Sequence, residues 1–215
     1  YYYILRNQCI DNSLHCPGYG KKALKDDLRS QVLGELNRYR YKNAALLIRG
    51  VRDFLKGIDW LKTTDAEALH QEVIAAGYKS LPIEQTNAKV PLDLSQYGYT
   101  LREETPSFKK KLLMRLTNNG HLLPPTRKTT VVSAMYMTAY NAYRVEKVLN
   151  YNPNNQTAFV TTRDPAEYHR CIQEMKTCLH EIDAKFDAAR DSYRQRHGEL
   201  QSLDFWEKYL MLKSK

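Results

Sequence analysis

Residues 164–198 read DPAEYHRCIQEMKTCLHEIDAKFDAARDSYRQRHG. The opening four residues are a helix start. Asp164 offers an N-cap oxygen, Pro165 takes the first-turn position whose amide is orphaned anyway, and Glu167 puts an acid near the positive end of the macrodipole. Behind them Tyr168, Met175, Ile182 and Ala189 repeat at seven, interleaved with Cys171, Ile172, Cys178, Leu179, Phe186 and Tyr193. A seven-residue apolar repeat is the mark of a helix laid along partner helices. Gly198 is expected to end it, and Leu203, Trp206 and Leu210 to line a last helix that folds back as a C-terminal helical hairpin.

The same period recurs toward the N-terminus. Leu24, Leu28, Val32, Leu36 and Tyr39 make one stripe, and after Asn43 the phase resets to Leu47, Val51, Phe54, Leu55 and Ile58. Thr64 and Glu67 have capping-box spacing and open a helix with Leu69, Val73 and Ile74 that ends at Gly77 in a left-handed cap. Residues 78–105, with Pro82, Pro91 and Gly98, break every period and have room for a short strand or hairpin at most. Thr105-Pro106 starts a further helix through Phe108, Leu112, Leu113 and Leu116 to Gly120. The segment Thr129–Asn150 is apolar on most of its circumference, which predicts the central helix of a bundle; its mixed Val and Tyr leave a strand open at the start. Residues 150–155 form a turn cluster, and Thr157–Thr162 reads as one short strand. The expected class is mainly α: a bundle of six or seven helices with a C-terminal hairpin and a long irregular mid-chain connection.

The chain opens on Tyr1-Tyr2-Tyr3-Ile4-Leu5 without a Met, so residues 1–20 read as a lead-in continuing from an upstream domain. Residues 21–215 then form the helical domain, with lobes 21–77 and 106–215 joined by 78–105. Lys and Arg number 33 against 24 Asp and Glu, a net charge of +9, which favours anionic partners. Sixteen tyrosines against five phenylalanines suit half-buried seams and interfaces. Four cysteines without a C-x-x-C exclude a disulfide scaffold and fit a reducing, cytoplasmic setting. No apolar run approaches the roughly 18 residues that span a bilayer.

His169, Cys171, Cys178 and His180 have the look of a metal set, but helix geometry separates them. At about 100° per residue the two cysteines fall within about 20° of each other, with the histidines nearly opposite, so no single tetrahedral ion meets all four. Cys9, His15 and Cys16 form a second cluster before Gly18, Gly20, Lys21 and Lys22, and with His121 or His197 they sketch a cysteine-dependent enzyme. Phosphate-loop, nucleophile-elbow and zinc-protease spacings are absent. No catalytic residue, metal ligand or cofactor is assigned.

The cations carry the functional expectation. Arg49, Arg52 and Lys56 share one helix face opposite Leu47, Val51 and Phe54, and three like charges there repel unless an anion or carboxylates neutralise them. Lys109, Lys110 and Lys111 crowd a first helical turn, where the macrodipole opposes them. Arg38, Arg40 and Lys42 alternate with Tyr39 and Tyr41, a composition that can stack bases. Trp60 and Leu61 offer an aromatic-apolar tip for a headgroup layer. Residues 22–80, through Leu33-Gly34-Glu35-Leu36-Asn37-Arg38-Tyr39, Arg49-Gly50 and Phe54-Leu55-Lys56-Gly57, resemble helical segments of secreted effectors of intracellular bacterial pathogens. That resemblance implies a module acting in a host cell's cytoplasm or on a membrane surface. The expected function is a non-catalytic interaction module of a larger protein, whose basic face binds a phosphoinositide-containing membrane or a host protein. Nucleic-acid binding through residues 38–42 and a cysteine-dependent effector enzyme are the alternatives.

Overall fold

A computed structural model describes residues 1–82, 127–133, 145–152 and 156–200. In chain order the elements are α1 (Tyr2–His15), α2 (Lys21–Leu36), α3 (Tyr41–Phe54), α4 (Gly57–Thr63), α5 (Ala66–Ala76), β1 (Leu81–Pro82), β2 (Arg127–Ser133), β3 (Val145–Asn152), β4 (Thr157–Thr162), α6 (Pro165–Gln195) and α7 (His197–Leu200). The architecture is mainly α-helical with one small sheet. The chain divides into two units, one of residues 1–33, 42–77 and 170–215, the other of residues 34–41 and 78–169.

The first unit is helix on helix. Helix α6 starts as its sequence demands: the Asp164 carboxylate accepts from the amides of Ala166 and Glu167 at 2.9 and 3.1 Å. Its stripe Cys171, Met175, Cys178, Ile182, Phe186, Ala189 and Tyr193 is buried, whereas His169 and His180 are exposed, the division expected from their angular positions. Phe54 of α3 stacks on Tyr193 at 5.4 Å between centroids, and its ring lies 6.1 Å from that of Phe186. Lys21 and Lys25, one turn apart on α2, reach Asp187 and Asp183, one turn apart on α6, so the two helices run antiparallel. Helix α1 crosses α3 at Gly50, where an added Cβ would lie 2.6 Å from the Tyr2 carbonyl oxygen. Only a residue without a side chain permits that approach. The Tyr2 hydroxyl donates to Asp53 Oδ2 at 2.8 Å, and the fully buried Arg6 lies over the rings of Tyr2 and Tyr3. Helix α5 closes this end, with Leu69 and Val73 packed on Tyr2 and Leu46.

The second unit holds the sheet, in order β1-β4-β3-β2. The β1–β4 and β3–β4 pairs are antiparallel, and β2–β3 is parallel. Val148 and Asn150 of β3 lie opposite Thr161 and Phe159 of β4, which places these four on one face. The turn after α2 is stapled to that face. Arg40 Nε donates to Asn150 Oδ1 at 2.6 Å, Asn150 Nδ2 to Thr161 Oγ1 at 3.0 Å, and Thr161 Oγ1 to the Arg38 carbonyl at 2.8 Å. Tyr78 stacks on Phe159 at 4.8 Å and donates its hydroxyl to the Tyr39 carbonyl. Tyr39 takes the left-handed conformation at φ 56, with its ring fully buried.

Several expectations are corrected. Thr129–Asn150 is not a central helix: residues 129–133 belong to β2 and 145–150 to β3. A segment apolar all round has no period to separate a buried helix from a buried strand, and β-branched Thr129, Thr130, Val131 and Val132 favour the strand. The N-cap of α5 is Asp65, which accepts from Glu67 and Ala68, while Thr64 Oγ1 turns back to the Trp60 carbonyl. Gly77 is extended at φ −76 and ψ 179 rather than left-handed. Helix α6 ends at Gln195, and Gly198 lies inside α7. The strand at Thr157–Thr162 is present as β4. The expected helix at 106–120, the connection beyond residue 82 and the second arm of the hairpin lie outside the described residues.

Candidate binding cleft

The cations picked out in the sequence are mostly matched within the protein. On α3, Arg49 sits 2.6 Å from Glu72 and 3.7 Å from Asp53, and Arg52 sits 3.1 Å from Glu181. Lys56 lies 2.6 Å from Asp53 and 4.2 Å from the centre of the Trp60 ring. The carboxylates that relieve the three like charges thus come from α3 itself, α5 and α6, and the face is not an unfilled anion site. Asp53 is central to it, buried at 3 % exposure and taking the Tyr2 hydroxyl besides both cations.

Residues 38–42 do not present rings for base stacking, because Tyr39 and Tyr41 are buried. Arg38 and Arg40 reach Glu35 at 3.8 and 3.6 Å, and Arg40 is 3 % exposed. Lys42 is exposed at the start of α3. The membrane-tip reading is also overturned: Leu61 is 2 % exposed, and Trp60 is half-buried against the cluster around Tyr2 and Leu46. Lys109, Lys110 and Lys111 lie outside the described residues. Among the described residues no helix is long and apolar enough to cross a membrane.

The Cys/His cluster divides. Cys9 is buried in α1, where burial raises its thiol pKa and the Tyr19 hydroxyl approaches its Sγ. Burial pushes Cys178 up to about 12. Neither is a nucleophile in the folded chain. Cys16 is exposed, and its Sγ donates to Asn12 Oδ1 at 3.6 Å, not to an imidazole. His121 lies outside the described residues, but His197 is brought to this end of the molecule. Its ring meets that of His15 edge-on, 5.6 Å between centroids and 69° between planes. Among the described residues no three His, Cys, Asp or Glu side chains are grouped to hold a metal ion.

His197 lines a cleft, with His15 edge-on to it. A cavity of about 390 Å³ opens between the ends of α1 and α6, lined among the described residues by Leu14, Pro17, Arg194 and His197. Arg194 is placed by its own helix. One residue after Tyr193 in the buried stripe, it leaves the core and donates Nε to the Ser13 carbonyl of α1 at 2.8 Å. That bond also satisfies a carbonyl of the last helical turn, which lacks an intrahelical partner. The guanidinium of Arg194 has no carboxylate within ion-pair distance among the described residues, unlike those of Arg38, Arg40, Arg49 and Arg52. His15 stands in the last turn of α1, with Nε2 3.8 Å from Asp11 Oδ1. The lining is a guanidinium and one imidazole beside two apolar side chains, with His15 edge-on to that imidazole, an arrangement suited to holding an acidic group. Sequence reasoning named His197 and missed Arg194; the available signal was a cation next to the last buried residue of a long helix, facing a loop with Pro17. No protein-family model matches the chain, and no curated protein matches it significantly.

Proposed function

We propose that the chain is a non-catalytic interaction module that holds an acidic side chain of a partner protein in the cleft between α1 and α6. The observation that carries this is Arg194, oriented through Nε and without a carboxylate of its own among the described residues. His197 adds a second polar side chain to the lining, and Leu14 and Pro17 give the partner's neighbouring apolar atoms a surface. A partner protein is favoured over a bilayer because Leu61 and Trp60 are packed inward, leaving no apolar tip on α4. The resemblance of residues 22–80 to bacterial effector segments supports a host cell's cytoplasm as the setting.

Fluorescence anisotropy with a labelled octaglutamate peptide tests the reading. A charge-assisted hydrogen bond contributes about 1.5–3 kcal/mol, so Arg194→Gln is expected to weaken binding roughly ten- to hundredfold. Arg52→Gln, which removes a cation already matched to Glu181, is expected to leave binding within about twofold. Flotation with phosphoinositide-doped vesicles is expected to match neutral vesicles. Equal affinity of wild type and Arg194→Gln refutes the reading.

A further inference from the structure

We infer that docking at this cleft is coupled to uptake of a proton by His197, so that the chain holds an acidic partner more tightly as pH falls from about 8 to 6. The inference rests on the reading that the cleft holds an acidic side chain of a partner protein, and it adds the condition that regulates that binding. It comes from which of the two imidazoles at this end of the molecule has a carboxylate and which does not.

His15 and His197 meet with ring centroids 5.6 Å apart, but their surroundings differ. His15 Nε2 lies 3.8 Å from Asp11 Oδ1, one turn back on α1. A positive charge on His15 is matched by that carboxylate whether or not the cleft is filled, so it contributes little to the difference between the two states. His197 lines the cleft and has no carboxylate within ion-pair distance among the described residues. The charged groups around it there are Arg194, which shares the lining, and His15 with Asp11 behind it. Arg196, the residue before it, is matched to Asp59 of α4 at 3.1 Å. A proton on His197 thus adds a positive charge near the Arg194 guanidinium, and the Asp11 carboxylate is set against His15 instead. An acidic group of a partner supplies the missing negative charge.

The coupling needs proximity and not a particular hydrogen bond. A cavity of about 390 Å³, treated as a sphere, is about 9 Å across, inside the screening length of about 10 Å at 0.1 M salt. An acidic group held in it at Arg194 therefore acts on the His197 ring. At about 6 Å and an effective dielectric constant of about 40–80, the attraction between unit charges corresponds to about a three- to tenfold change in an equilibrium constant. The sign follows from linkage: the filled cleft binds more protons than the free one, so affinity rises as pH falls. Imidazoles change charge near pH 6.5 and glutamate carboxylates near about 4.3, so the ligand stays ionised between about pH 8 and 6 while the imidazole side of the balance moves.

Rhodamine-labelled octaglutamate, titrated by anisotropy at about pH 8 and pH 6 and constant ionic strength, reads the coupling. The wild-type chain is expected to bind about two- to sixfold more tightly at the lower pH. His197→Gln is expected to bring that ratio to about 1.5 or less. His180→Gln, which removes an exposed imidazole about 21 Å along α6 from Arg194, is expected to keep it. Calorimetry of the wild-type chain near pH 7, in two buffers of different ionisation enthalpy, is expected to show uptake of about 0.3–0.5 proton per peptide bound. Affinity independent of pH without proton uptake, while Arg194→Gln still weakens binding, overturns the coupling and leaves acidic-side-chain docking standing. Affinity that Arg194→Gln leaves unchanged at both pH values overturns the two readings together. A pH ratio that survives His197→Gln overturns the assignment to that imidazole.

Discussion

Two helical glycines are predicted to respond to alanine with opposite signs. At Gly50 an added Cβ would stand 2.6 Å from the Tyr2 carbonyl oxygen and 3.4 Å from the Arg6 amide nitrogen. Ordinary contact begins near 3.4 Å, so α1 and α3 must part locally by about 0.8 Å. The obstructing atoms are backbone, and the Tyr2–Asp53 hydrogen bond beside them pins α1 to α3. Overpacking of this kind costs about 1–3 kcal/mol, and the upper part of that range applies where no side chain can swing away. The better helix propensity of alanine returns about 1 kcal/mol, leaving Gly50→Ala destabilised by roughly 1–2 kcal/mol. Gly34, within α2, has nothing within 4 Å of the equivalent position. There the propensity gain stands alone, and Gly34→Ala is expected to stabilise by up to about 1 kcal/mol. Urea unfolding followed by far-UV circular dichroism separates the two, with midpoints about 1 M apart for an m-value of 2–3 kcal/mol/M. Shifts of the same sign, or a Gly50→Ala midpoint at or above wild type, refute the close approach of α1 to α3.

Native protein treated with a thiol reagent is expected to label at Cys16 alone, because Cys9, Cys171 and Cys178 are buried; in denaturant all four should react, and rapid labelling of a second native thiol contradicts the packing of α1 and α6. Acid should expose the α2–α6 ion pairs. Hydrogen bonds from Lys25 and Lys21 hold Asp183 and Asp187 below the ordinary value of 3.8, so below that value the unfolded chain binds more protons than the folded one. Their contribution is therefore fully present above pH 3.8 and is lost as pH falls through the lowered folded-state values. The double variant Lys21→Met/Lys25→Met should flatten that acid limb in pH-dependent thermal melts. Asp164→Ala, which strips two amides of their acceptor at the start of α6, is expected to cost about 1 kcal/mol and lower Tm by about 2–4 °C. Asp164→Asn, a comparable cap, should recover most of that loss.

Much of the helical layout was legible because periodic apolar spacing, caps and prolines report local physics. The stripes Leu24–Leu36 and Cys171–Tyr193 are buried as spaced, and Asp164 caps as its position requires. The sheet was only partly legible. Thr157–Thr162 carried a strand signal, whereas in 129–150 the choice between helix and strand depended on partners far along the chain, such as Arg40 reaching Asn150. The cationic face of α3 misled for a related reason. Sequence spacing brought Arg49, Arg52 and Lys56 together, but only the tertiary fold supplies Glu72 and Glu181 as their partners. Arg194 was missed because nothing local shows that α6 ends beside the end of α1. The distinguishing feature, a cation without a carboxylate, is a property of the folded neighbourhood.

The most direct test of the cleft is where an acidic peptide leaves its footprint. In ¹H–¹⁵N and imidazole correlation spectra, octaglutamate is predicted to move resonances of Leu14, His15, Arg194 and His197, and to leave those of Arg49, Arg52 and Lys56 in place. Shifts concentrated on α3 with the α1–α6 cleft unmoved would contradict the account, and would return the anion site to the helix face whose charges the fold neutralises.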